Sequence, residues 1–266
     1  MFDSIAGDYD ALNHILSLDV DKIWRKKALK QIVDAPAPVQ VLDLACGTGD
    51  FSIAIAKALS RSHKRVGTPI EAHVKAPAKA PVEAQVTSTG FVTGDSGRSD
   101  LMTKGHVTGV DLSEGMLAVM REKVAKAGLT EMISIEEGDG ENLRFPDNTF
   151  DRVTIAFGIR NFENREKGLR EMLRVLKPGG RLVILELSRP ENKVIRWFYD
   201  LYFLHILPKI GGKVSGDKAA YAYLPASVAA FPGKKAFMAT MREAGFRTVT
   251  HKAFTLGICR MYTGEK

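Results

Sequence analysis

One short stretch limits the folds open to this 266-residue chain more than any other. Val39-Gln40-Val41-Leu42-Asp43-Leu44 is a compact apolar run that enters the turn Ala45-Cys46-Gly47-Thr48-Gly49-Asp50, after which Phe51, Ile53, Ile55, Ala56 and Leu59 recur at helical spacing. Strand, glycine turn and helix in that order open a βαβ unit. Further apolar runs at 107–110, 132–135, Phe150–Ala156 and 181–187 alternate with helical stretches at 115–127 and 166–176. Such alternation implies a doubly wound, mostly parallel sheet in an α/β domain. Lys177-Pro178-Gly179-Gly180 reads as a turn that stops one helix and starts the next strand, because proline cannot continue a helix and glycine tolerates positive φ. Arg247–Phe254 and 256–263 read as an antiparallel C-terminal hairpin at the sheet's edge, for about seven strands in all.

With 45% hydrophobic and 26% charged residues, the chain can bury a core. One domain over 1–266 is expected, since doubly wound sheets with insertions reach this length. The exception is 61–105, rich in Ala, Pro, Lys, Thr and Ser around Ala76-Pro77-Ala78-Lys79-Ala80-Pro81. It reads as a flexible insertion, with disorder favoured over a functional loop or a short hairpin near 82–92.

The net charge of +7 is spread along the chain without a basic run, so nucleic acid is not an expected partner. Two cysteines, Cys46 and Cys259, make neither a disulfide framework nor a metal spacing, which fits a reducing cytoplasm and no metal. No secretory signal is evident at the start. The most apolar long segment, 194–207, is too short to span a bilayer and carries Arg196, Asp200 and His205, although it could touch one.

In the glycine turn, Gly47 and Gly49 lack the Cβ atoms that would hold a ligand off the backbone, although a tight strand-to-helix connection alone would also explain them. A second strand ends at Val110-Asp111, where a doubly wound fold places an acid that accepts from both ribose hydroxyls; a neighbour of a helix N-cap is the alternative. Asp111 lies more than sixty positions past Gly47, and the usual spacing of about 20 returns once the insertion is removed. A third turn, Glu137-Gly138-Asp139-Gly140-Glu141, offers Asp139 to an adenine amino group, or is a plain β-turn. The third glycine of a dinucleotide loop is missing and Asp50 stands at the helix start, where an acid repels phosphate. Asp43 and Asp50 suit instead the amino group and sulfonium of S-adenosylmethionine.

These residues resemble the class I methyltransferases, and within them the C-methyltransferases of menaquinone and ubiquinone biosynthesis. The strings that carry the resemblance are Phe2-Asp3-Ser4-Ile5-Ala6-Gly7-Asp8-Tyr9-Asp10, the turn from Asp43 to Asp50, Phe145-Pro146-Asp147-Asn148-Thr149-Phe150-Asp151, Phe157-Gly158-Ile159-Arg160-Asn161, Leu176-Lys177-Pro178-Gly179-Gly180 and Tyr223-Leu224-Pro225-Ala226-Ser227-Val228. The resemblance implies a Rossmann-like fold and S-adenosylmethionine held by Asp43, Ala45, Gly47, Thr48, Gly49, Asp111, Leu112, Met116, Asp139 and Gly140. It also implies methylation of a ring carbon on a polyprenylated hydroquinone, demethylmenaquinol first. Ala156 and the Cys46-Gly47-Thr48-Gly49 turn resemble the menaquinone-only branch; members that also serve ubiquinone carry Ser and Gly-Gly-Thr-Gly there. The insertion is not typical of the family.

A hydroquinone carbon attacks well once a hydroxyl of pKa about 10 loses its proton. Arg160, after the strand at Val153 to Ala156, is expected to stabilise that oxyanion or organise a water that takes the proton, with Asn161 on the same oxygen. Residue types alone allow a plainer reading, in which Arg160 pairs with Asp151 or Glu163. Asp8 and Tyr9 are expected to fold over the cofactor and exclude water. The aromatic stretch Trp197 to Pro208 is expected to guide the isoprenoid tail and to make a peripheral membrane contact within 194–208. A benzoquinol precursor of ubiquinone, another small-molecule or RNA acceptor, and a cofactor-less quinone-binding scaffold remain as alternatives; homodimerisation stays open.

Overall fold

A computed structural model describes residues 20–34, 39–66, 105–202 and 218–266. Asp8, Tyr9, positions 67–104 of the inserted stretch and positions 203–208 of the aromatic segment lie outside them. The elements run α1 (Val20–Val33), β1 (Gln40–Leu44), α2 (Asp50–Val66), β2 (His106–Asp111), α3 (Glu114–Lys126), β3 (Ile133–Glu137), β4 (Phe150–Ala156), a 3₁₀ turn (Ile159–Asn161), α4 (Arg165–Val175) and β5 (Leu176–Leu187). They continue with α5 (Lys193–Leu201), α6 (Lys218–Ala230), α7 (Lys234–Glu243), β6 (Arg247–Phe254), a second 3₁₀ turn (Thr255–Gly257) and β7 (Cys259–Glu265). The side chains of Ser113 and Asn164 accept from the amides of Met116 and Lys167, capping the starts of α3 and α4.

The seven strands form one sheet in the order β3-β2-β1-β4-β5-β7-β6. β1 pairs in parallel with β2 and β4, β2 with β3, and β4 with β5. β7 alone runs against its neighbours, antiparallel to β5 and β6. The expected fold is present, with the C-terminal hairpin at the sheet's edge and β6 outermost. Boundaries are corrected in three places. The second hairpin strand begins at Cys259 and not at Leu256, because Thr255–Gly257 coils into a 3₁₀ turn with Leu256 at φ 57. α2 continues to Val66, so the first residues assigned to the insertion are helical. Finally, Lys177-Pro178-Gly179-Gly180 is not a connection before a strand but a bulge within β5. Phe150 pairs with Leu176 and Arg152 with Arg181, so the extra residues loop out between these pairs, with Gly179 at φ 74.

The central strands are buried on both faces, which is why they read as continuous apolar runs. Leu42, Leu44, Ile155, Leu182 and Ile184 point to one side and pack with Leu169 and Met172 of α4 and with Phe237 and Met241 of α7. Val41, Val107, Val183 and Leu185 point to the other and pack with Trp24 and Ile32 of α1, Phe51 and Ile55 of α2, and Leu117 and Met120 of α3.

Candidate active site

From β1 the chain steps outward to β2 and β3, then returns past β1 to β4. Strand order reverses between β1 and β4, and in an open α/β sheet the loops diverge at that point to leave a crevice beyond the carboxyl ends. A cavity of about 460 Å³ lies there, within the range of small-ligand sites. Ala45 and Gly47 line it after β1, Asp111, Leu112 and Ser113 at the tip of β2, Met116 from α3, and Gly138, Asp139, Gly140 and Glu141 after β3. Ala156, Phe157, Gly158, Asn161, Phe162 and Glu163 close the side after β4.

Two backbone amides orient the Asp111 carboxylate: Gly47 N–H donates to Oδ2 at 2.8 Å and Ser113 N–H to Oδ1 at 2.9 Å. The acid after β2 and the glycine turn after β1 therefore form one wall. Gly47 takes φ 55, a conformation that glycine adopts without strain. Asp139 accepts from the Glu141 amide at 2.8 Å, which fixes its turn while leaving it on the cavity surface. An oriented carboxylate beside a glycine turn, with a second acid across the cleft, fits a nucleoside carrying vicinal hydroxyls and an exocyclic amine.

Two non-glycine residues on this surface hold left-handed backbone, Ala45 at φ 48 and Phe157 at φ 63, each at a cost of about 1–3 kcal/mol that surrounding contacts must offset. They sit at the tips of adjacent strands. A Cβ on Gly158 would meet that of Ala45 at 2.5 Å, so glycine is required where the two tips touch. Phe157 N–H donates to Leu185 O at 2.7 Å, and the Phe157 carbonyl accepts from the Arg160 guanidinium.

Ala45, Gly47, Asp111, Leu112, Met116, Asp139, Gly140 and Asn161 thus meet in one cavity. Asp43, Thr48, Gly49, Asp50 and Arg160 are not among its lining residues. Asp43 is almost fully buried and accepts from Ser52 Oγ at 2.5 Å; burial pushes its pKa up to about 7, against the lowering effects of Ser52 and Arg25. The Asp50 carboxylate, expected to favour a zwitterion, pairs with Lys123, whose Nζ also donates to Thr48 Oγ1 at 3.3 Å. Lys123 therefore offsets the charge on Asp50. The reason for Gly49 differs from close ligand approach: it holds φ 83, and a Cβ there would enter the Met120 side chain of α3. At Gly140 a Cβ would meet Phe162 Cζ at 2.6 Å, and at Gly168 it would meet Phe162 Cδ2 at 2.5 Å, so both glycines make room for that ring.

Arg160 needs the largest correction. Its side chain is 6% exposed and paired at 3.0 Å with Glu186, whose own side chain is 0% exposed. Nε donates to Ser227 Oγ at 3.3 Å. The carboxylate is neither Asp151, which pairs with Lys177, nor Glu163. Arg160 is therefore half of a compensated buried pair and not a bare cation facing the cleft. Asn161 does face it, and its Oδ1 accepts from the Tyr223 hydroxyl at 2.9 Å.

Sequence reasoning missed Ser113, Phe162, Glu186 and Tyr223. Glu186 had a signal: a carboxylate between two leucines in a buried strand must find a partner. Tyr223 opened one of the strings that carry the family resemblance, but only the fold sets its hydroxyl against Asn161; Phe162 had no signal, because only the fold brings it to the cleft.

The fold and its crevice are those of an S-adenosylmethionine-dependent methyltransferase. A SAM-dependent methyltransferase from Aquifex aeolicus superposes with a TM-score of 0.53 at 19% identity, covering 90% of this chain and 88% of that one. The cyclase SpnF also superposes, with a TM-score of 0.58 at 16% identity over 91% and 81% of the two chains, so fold alone leaves the reaction open. The model of the ubiE/COQ5 methyltransferase family matches residues 1–266, and the chain belongs to that family. Among similar curated proteins, the demethylmenaquinone methyltransferase of Bacteroides fragilis is 39% identical, over 100% of this chain and 91% of its own length. The ubiquinone/menaquinone biosynthesis C-methyltransferase of Geobacter sulfurreducens is 43% identical, over 100% and 87%. The chain is an enzyme that uses S-adenosylmethionine as methyl donor.

Proposed function

We propose that the chain methylates the ring carbon of demethylmenaquinol to give menaquinol, acting in the cytoplasm against the inner membrane face. The observation that carries the reading is the convergence of Gly47, Asp111, Asp139 and Asn161 on one cleft at the strand-order reversal, in a chain similar over its whole length to proteins named for this reaction. S-adenosylmethionine supplies an electrophilic methyl group on a sulfonium. Asp111 would hold the ribose and Asp139 the adenine amine, while Ala156 keeps the wall beyond β4 small. The amide nitrogen of Asn161 makes no hydrogen bond among the described residues, since Tyr223 occupies the oxygen side. It is the donor we assign to the acceptor's ring oxygen, where it would favour the phenolate that makes the ring carbon nucleophilic.

Incubating pure protein with the methyl donor and demethylmenaquinol should yield the singly methylated quinol by mass spectrometry. Turnover of a ubiquinone-precursor benzoquinol alone would move the assignment to that acceptor, and no product from either quinol would refute it.

Among the described residues no helix is long and apolar enough to cross a membrane. On α5, however, Val194, Trp197 and Phe198 are 66%, 61% and 60% exposed. A short helix presenting large apolar side chains suits the bilayer interface, where a substrate with an isoprenoid tail resides. Flotation with anionic liposomes should carry the wild type up, and Trp197→Ala with Phe198→Ala should remain below; equal flotation of both would exclude this face.

A further inference from the structure

We propose that Glu186 is a positioning residue for methyl transfer, acting through Arg160 on the 157–161 turn that carries Asn161. This rests on the reading of Asn161 as the group that meets the acceptor. Beyond the last pair of β4 and β5, Ala156 with Leu185, the β4 chain leaves the sheet through the left-handed Phe157. Glu186 is the next residue of β5 and faces that departure.

Two of its three side-chain bonds reach this turn. Oε2 accepts from the Arg160 backbone amide at 3.1 Å, Oε1 from Arg160 Nη1 at 3.0 Å and from the Leu187 amide at 2.8 Å. The same Nη1 returns to the Phe157 carbonyl, and Nε reaches Ser227 on α6, the helix whose Tyr223 holds Asn161 Oδ1. One buried carboxylate thus holds the Arg160 end of a strained turn directly and, through that arginine, its Phe157 end and the helix whose Tyr223 holds the Asn161 amide oxygen. A guanidinium nitrogen shared between a carboxylate and a carbonyl is directional, so the carboxylate's position matters as well as its charge. Simple charge compensation for Arg160 would not require a bond to its backbone amide.

Glu186→Asp keeps the charge and withdraws the carboxylate by one methylene; Glu186→Gln keeps the length and removes the charge. For Glu186→Asp we expect a fall in kcat of at least tenfold on demethylmenaquinol, with S-adenosylhomocysteine affinity by calorimetry within twofold of wild type. Hydrogen exchange should rise in peptides covering 157–161 and stay unchanged around Gly47. Glu186→Gln should show the same localised rise, which keeps the inference testable if Glu186→Asp does not fold. Wild-type kcat in Glu186→Asp, exchange unchanged in the turn, or activity lost only in proportion to cofactor affinity would overturn the role. If the wild type is inert on demethylmenaquinol but methylates the ubiquinone-precursor benzoquinol, the same tenfold fall on that acceptor in Glu186→Asp upholds the positioning role while the acceptor assignment fails.

Discussion

At the scale of single residues, the site is defined by what backbone amides do to one carboxylate. Gly47 and Ser113 aim Asp111 from two directions, so the acid proposed to anchor the ribose also locks the glycine turn to the tip of β2. Asp111→Ala removes both functions. A hydrogen bond to a charged group contributes about 1.5–3 kcal/mol, so losing the ribose contacts should raise the dissociation constant of S-adenosylhomocysteine about 100-fold or more. Asn161→Ala should leave that constant within a few-fold while lowering kcat. Calorimetry on the two variants separates the roles, and equal weakening in both would contradict them. The place of Asp111 in the cleft was legible in the sequence because an acid ends the second strand of a βαβ unit opened by a glycine turn. The partner of Arg160 was not legible for a physical reason: sequence shows that a cation follows β4 but not that a carboxylate from β5 lies against it.

At the scale of elements, the glycine turn serves helix packing as much as ligand approach. Met120 of α3 fills the space beside Gly49 and Gly109, and Cys46 Sγ lies 3.5 Å from its sulfur. The α2 and α3 helices are thereby seated on the same turn that lines the cleft. Gly49→Ala forces a β-carbon into that side chain at a positive φ, and should cost about 2–4 kcal/mol in urea denaturation. Met120→Ala in the same chain should recover the steric part, with a coupling of about 1 kcal/mol or more in the double-mutant cycle; strict additivity would mean that the two do not compete for space. Helices and parallel strands were legible here because burial on one or both faces writes its period into the residues. The bulge at Lys177-Pro178-Gly179-Gly180 was not, since a Pro-Gly-Gly string reads the same whether the chain turns before a strand or loops out of one. Nor was the placement of β7 between β5 and β6, which depends on pairing partners distant in sequence.

At the scale of the whole molecule, one buried carboxylate of β1 makes stability depend on pH. Burial raises Asp43 from 3.8 to about 7, so between those values the folded protein holds a proton that the unfolded chain releases. The contribution to stability is complete below the unfolded value and declines as pH rises to about 7. Asp43→Asn does not titrate, so its stability relative to wild type should be greater at pH 8 than at pH 5 by about 2 kcal/mol. Urea denaturation at the two pH values measures this, and the same difference at both would show that Asp43 titrates alike in folded and unfolded chains.

The central claim is that the crevice between the tips of β1 and β4 is the nucleoside site, and a crystal structure with S-adenosylhomocysteine tests it most directly. The account predicts the ribose hydroxyls on Asp111, the adenine beside Asp139 and the sulfur pointing toward Asn161. A nucleoside seated elsewhere, or one in this cleft with no contact to Asp111, would contradict it.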